Sequence, residues 1–108
     1  MAQDFERDKA NGVGTSAATL RTANTDDAIV GIMVANVTSS QITVEVYITV
    51  GSDDIHLVKD APIPAGSSLQ LLDGGAKIVM QSGDVLKVKS NTASSADVWV
   101  SAVDAIST

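Results

Sequence analysis

The chain contains no cysteine, so disulfides, thiolate chemistry and cysteine-based zinc sites are excluded together. Histidine occurs once, proline twice, and only three residues are aromatic: Phe5, Tyr47 and Trp99. A core must therefore be built from Val, Ile, Leu, Ala and Met. Basic residues are scarce, 7 against 13 acidic ones, and the net charge of −6 argues against binding nucleic acid phosphates or an anionic membrane. Lys87 and Lys89 lie two apart and read as one solvated strand face. No apolar run approaches the roughly 20 residues of a membrane helix, and the polar opening MAQDFERDKANG reads as lacking a secretory signal. The sequon Asn36-Val37-Thr38 then carries no weight.

What is present is β-branched. Asp26 to Val50 contains two strand-forming segments joined by Thr-Ser-Ser-Gln. In the second, Ile42, Val44, Val46, Ile48 and Val50 alternate with Thr43, Glu45, Tyr47 and Thr49, the pattern of a strand with one buried face. The first does not alternate. Ile29, Val30, Ile32, Met33, Val34, Ala35 and Val37 put apolar groups on both faces, which implies a second cover beyond the domain's own core. The last segment is similar: Val98, Val100, Ala102 and Ile106 share one face with Asp104, while Trp99, Ser101, Val103 and Ala105 share the other.

With 108 residues the chain makes one domain. Residues 1–12 carry one sizeable apolar side chain, Phe5, and end at Asn11-Gly12, so they read as an N-terminal arm before a domain of residues 13–108. Strands are expected at about 13–23, 27–37, 41–50, 54–59, 67–72, 76–80, 84–90 and 96–106, with turn residues between them at nearly even spacing. This predicts an all-β protein: a single antiparallel β-sandwich of about eight strands, jelly-roll or immunoglobulin-like, with little or no helix. Pro62 and Pro64 cannot donate ladder hydrogen bonds and mark an edge or a crossover. Asp73-Gly74-Gly75 predicts a tight hairpin between 67–72 and 76–80.

Catalytic groups are few. His56, between Ile55 and Leu57, reads as an ordinary surface or interface histidine, and there is no G-x-S-x-G elbow. Asp26-Asp27 and Asp53-Asp54 read as turn chemistry, since no D-x-D-x-D-G ladder for calcium appears. The glycines of Asp73-Gly74-Gly75 and Ser82-Gly83-Asp84 precede strands, not the helix a phosphate loop requires. No catalytic residue, metal or cofactor is expected.

The run from Leu57-Val58-Lys59-Asp60-Ala61-Pro62 through Ile63-Pro64-Ala65-Gly66-Ser67-Ser68-Leu69, then Lys77-Ile78-Val79-Met80 to Ser82-Gly83-Asp84-Val85-Leu86-Lys87-Val88, then Thr92 to Val98, resembles small virion structural proteins of tailed bacteriophages, notably of marine and cyanobacterial hosts. Asn11 to Ser16 and Val34-Ala35-Asn36 do so too. The likeness covers nearly all of the chain from residue 11 and lies in strand and turn signatures, so it implies a role without a mechanism. That role is a non-enzymatic, many-copy virion subunit, made in the host cytoplasm: a capsid decoration protein, a neck or tail accessory protein, or a fibre-attachment adaptor. Partners would be further copies of itself, as a homo-oligomer, and capsid, neck or tail proteins. The interface residues expected are Phe5, Val30, Ile32, Val34, Trp99 and Val103, with the faces exchanged if Ile29, Met33, Ala35 and Val37 point outward. The alternative is a carbohydrate-binding adhesion module using Trp99 or Tyr47.

Overall fold

The computed structural model describes residues 4–72 and 77–105. Nine strands appear there: β1 (Asp4–Val13), β2 (Ala18–Thr22), β3 (Asp27–Asn36), β4 (Ile42–Val50), β5 (Asp53–Ile63), β6 (Ser68–Gln70), β7 (Ile78–Met80), β8 (Val85–Ser90) and β9 (Ala96–Asp104). All eight expected strands are among them. The described residues contain no helix.

One sheet has the order β1-β9-β3-β6, with β7 also on β3, and the other has β2-β8-β4-β5. Every pairing is antiparallel and the pairs nest: β1 with β9, β2 with β8, β3 with β6 and β7, β4 with β5. An antiparallel ribbon rolled over itself so that successive pairs alternate between two sheets is a jelly roll. The immunoglobulin-like option is thereby set aside. The sandwich measures 45 × 30 × 20 Å.

Three details differ from expectation. Residues 4–12 are no detached arm but most of β1, an edge strand in register with β9 from Asp4↔Asp104 to Ala10↔Val98. Only a partner strand turns so polar a sequence into sheet, and that partner is far away in the chain, from Asp4↔Asp104 to Val13↔Ala96. Next, β6 and β7 form no hairpin with each other. Both run antiparallel to β3, β6 beside Met33–Ala35 and β7 beside Asp27–Ile29, so they are two parts of one interrupted strand. The predicted turn residues, Asp73-Gly74-Gly75, lie outside the described residues. Finally, β3 carries a bulge between Ile29 and Gly31, where Val30 is the extra residue.

That bulge explains the missing alternation. An extra residue reverses the inside-outside parity on either side of it. Ile29 therefore points inward with Ile32 and Val34, while Met33, Ala35 and Val37 face out. Inside, these side chains meet Val98, Val100 and Ala102 of β9 and Ile42, Val44, Val46, Leu86 and Val88 of the second sheet. Pro62 lies on β5, the edge strand of its sheet, where a missing N–H breaks no ladder. Pro64 opens the crossover to the other sheet, its carbonyl accepting from Ser67 N at 3.1 Å.

Buried polar groups are all partnered among the described residues. Asn36 is the main connector at the loop end. Its Nδ2 donates to Ser40 O at 2.7 Å and Ile63 O at 2.9 Å, and its Oδ1 accepts from Thr38 N at 2.9 Å. The side chain thus ties the end of β3 to β5 across the sandwich, and its amide is committed inside the fold rather than presented as a glycosylation acceptor.

Candidate functional site

The two outer faces of the sandwich differ in chemistry. On the β2-β8-β4-β5 sheet the outward positions are Thr43, Glu45, Tyr47 and Thr49 with Lys87 and Lys89 beside them. His56 Nε2 lies 2.9 Å from Glu45 Oε1, Lys59 Nζ lies 3.6 Å from the same oxygen, and the His56 ring packs 4.9 Å from Tyr47. The hydrogen bond with His56, helped by Lys59 and Lys89, holds the Glu45 carboxyl below its ordinary pKa. This is an ordinary polar sheet surface, as expected for His56.

The outer face of the other sheet carries large apolar side chains among polar ones. Registration builds it in rows across the strands: Phe5, Val103, Ala28 and Val79; then Arg7, Ser101 and Gly31; then Lys9, Trp99, Met33 and Gln70; then Asp97, Ala35 and Ser68. Phe5 is 88 % exposed, Val79 60 %, Trp99 46 % and Met33 38 %. The Arg7 guanidinium sits 5.5 Å from the Trp99 ring centre, a cation–π contact that lays a charged group over the indole. Gly31 and Ser101 leave a low centre between the larger side chains. The charges of the face, Arg7, Lys9 and Asp97, lie on or beside its edges.

Of the six residues expected at an interface, Phe5, Val30 and Trp99 are exposed and Val103 is partly so, all around this face. Ile32 and Val34 are corrections: at 1 % and 0 % exposure they belong to the core, because the bulge at Val30 exchanges the faces. Met33 and Val79 take their place outside. Trp99 and Tyr47 stand on opposite faces of the sandwich, so no single sugar-stacking platform contains both rings.

A third feature was missed by the sequence reading. Arg21, on the inner side of β2, donates from Nε to Asp27 Oδ2 at 2.9 Å, from Nη1 to Asp8 Oδ2 at 2.9 Å and from Nη2 to Glu6 Oε1 at 2.8 Å, with Asp104 Oδ1 at 3.6 Å. Thr25 Oγ1 donates to both Asp27 and Asp104. A bulge between Thr19 and Arg21 turns Leu20 and Arg21 inward together. Burial opposes the guanidinium charge, but the carboxylates outweigh it and raise the Arg21 pKa. For Asp27 burial pushes upward, yet hydrogen bonds with Asp104, Arg21 and Ala105 N–H hold it below the ordinary value. Asp104 is raised, chiefly by its hydrogen bond with Asp27 and then by the nearby negative charges.

Oxygens of Asp4, Glu6 and Asp104 come within 4.8 Å of one another, the one grouping among the described residues that could hold a cation. Arg21 already supplies positive charge to two of them. The cluster reads as structural: one cation joins β2 of one sheet to β1, β3 and β9 of the other. Its sequence signal was Arg21 as the only charge between Gly12 and Thr25, together with Asp104 in phase with Val98, Val100 and Ala102. Among the described residues no enclosed pocket is present.

No protein-family model and no curated protein matches the chain. Among solved structures it is similar in fold to a chain of the Bacillus endospore appendages, which form a novel family of disulfide-linked pili. The TM-score is 0.52 at 15 % sequence identity, over 98 % of this chain and 88 % of that one.

Proposed function

We propose that the chain is a non-enzymatic structural subunit of an assembled particle, and that the particle is a tailed-phage virion, with the chain as a capsid decoration or neck or tail accessory protein. The observation that carries this reading is the apolar outer sheet face. The core is complete without Phe5, Val79, Trp99 and Met33, yet they stand together on one surface. Several large apolar side chains exposed on one sheet face of a small domain mark a contact surface, because exposing them to water is unfavourable and association removes that exposure. The scaffold segments that resemble phage virion proteins supply the particle, and a jelly roll is a fold that tiles well by its faces and edges.

A second reading is favoured by the fold likeness to an endospore appendage chain: a subunit of a cell-surface fibre. With no cysteine in this chain, disulfide linkage is chemically impossible for it, and any such fibre would be held by non-covalent contacts alone.

Immunogold electron microscopy with an antibody against the chain separates the two. Gold on purified tailed particles is the expected result. Gold on cell-bound fibres would replace the virion reading with the second, and protein confined to the soluble cell fraction would overturn both.

A further inference from the structure

The partner of the apolar face follows from the order of its residues. We infer that a second copy of this chain docks there, face to face, about a two-fold axis parallel to the strands and running between β9 and β3. This rests on the structural-subunit reading and names the contact it uses.

A two-fold axis so placed lays β9 of one copy over β3 of the other, and β1 over β7 and β6, with each row kept. Each large apolar group then meets an apolar group of the other copy. Phe5 faces Val79, Val103 faces Ala28, Trp99 faces Met33, and the small pair Ser101 and Gly31 lies over its own counterpart at the axis. Residue i meets j and j meets i, the defining relation of an isologous interface. Low centres face low centres, so the sheets can approach to about 10 Å, the ordinary spacing of packed sheets. Lys9 falls opposite the neutral Gln70, and Lys9 and Asp97 stay at the rim, where specific interfaces place charge, while the Arg7 guanidinium lies over the Trp99 ring.

The area suits a modest pairwise contact. Three strands of nine or ten residues with the six residues of β6 and β7, about 4.8 Å apart and about 3.3 Å per residue, present roughly 550 Å² in plan. That is below the roughly 800 Å² per partner of a standard specific interface and is the area of a weak, concentration-dependent pair.

Two measurements test this on the full chain. The first is solution mass by sedimentation from about 1 µM to 1 mM, read beside the emission of Trp99, the only tryptophan. The mass is expected to double while the emission moves to shorter wavelength, and Met33→Lys, which is outward and leaves the core intact, is expected to weaken association at least tenfold with unchanged circular dichroism. The second uses the absence of native cysteine. Phe5→Cys and Val79→Cys chains mixed and oxidised are expected to cross-link with each other, whereas either alone stays uncross-linked, because the axis keeps Phe5 far from Phe5 and Val79 far from Val79.

A monomer throughout, or an oligomer indifferent to Met33→Lys with no mixed cross-link, overturns the inference. Failure of the underlying reading is separate: gold labelling of virions with a monomeric chain would leave the structural role standing with a different viral protein on this face.

Discussion

Arg21 Nε meets Asp27 Oδ2 at 2.9 Å inside the sandwich, with Asp27 fully buried. The pair joins the edge strand of one sheet to a central strand of the other, at the end where Asp4 and Asp104 also lie. An ion pair taken out of water gains from its Coulomb attraction only when all its hydrogen-bonding capacity is used. Here Glu6, Asp8, Thr25 and the Ala105 amide complete the set.

Removing the cation alone should therefore be severe. Arg21→Met leaves Asp27 buried opposite a thioether and Glu6, Asp8 and Asp104 facing one another without a neutralising charge. Breaking one partner of such a pair costs about 3–5 kcal/mol. Urea unfolding at pH 7 is expected to show that loss, and Arg21→Met combined with Asp27→Asn is expected to recover part of it. Equal stability of Arg21→Met and the parent would mean that the cluster is a surface feature.

The same cluster predicts an unusual pH profile. Asp27 has a lowered pKa in the fold, so its stabilisation is present above the ordinary aspartate range and is lost as pH falls through the lower folded value. Asp104 has the opposite sign: raised in the fold, it favours the folded state below its ordinary value and disfavours it as pH rises through the folded one. On acidification from pH 7 the urea midpoint is therefore expected to rise first, as Asp104 takes a proton, and to fall once the pH drops below the ordinary aspartate range toward the lowered folded value of Asp27. Asp104→Asn is expected to remove the rise and keep the fall. A midpoint that declines steadily from pH 7 in the parent chain would contradict this ordering.

Neighbouring residues on β3 should respond oppositely to the same substitution. Ile32 is core and Met33 is surface, because the bulge at Val30 sets the phase of everything after it. Ile32→Asp places an unpaired carboxylate among apolar side chains and is expected to cost more than about 4 kcal/mol, leaving the chain largely unfolded. Met33→Asp is expected to unfold within a few degrees of the parent. Thermal melts followed by circular dichroism decide this, and a folded Ile32→Asp chain would show that the phase is wrong.

The sequence carried the strands themselves because each one is a local pattern: alternation in β4, turn residues at regular intervals, prolines at an edge. It carried the apolar second face too, through Phe5, Val30, Trp99 and Val103. It did not carry the phase of β3, since a bulge is decided by the neighbouring strand, and Ile29-Val30-Gly31-Ile32 reads equally well in either phase. The Arg21 cluster was hidden for a related reason. Glu6, Asp8, Arg21, Asp27 and Asp104 lie on four strands, and only the nesting of β1 with β9 and β2 with β8 brings them together. Residues 4–12 read as an arm because a polar edge strand has no periodicity of its own and acquires its structure from Val98 to Asp104.

That last point can be tested by a chain beginning at Val13. A detached arm could be removed without cost to the fold. As β1, the segment supplies Glu6 and Asp8 to Arg21 and all the hydrogen bonds along one side of β9. Its loss would leave β9 as an open edge carrying Trp99 and Val103, a template for pairing with other chains. The shortened chain is expected to melt on the order of 15 °C below the parent, as a loss of a few kcal/mol implies for a domain of this size. It is also expected to aggregate with time, and adding a synthetic peptide of residues 1–12 should restore part of the lost stability by re-forming the β1·β9 ladder. Differential scanning calorimetry with and without the peptide measures both effects. A shortened chain that melts with the parent and stays clear in solution would return the segment to the status of an arm.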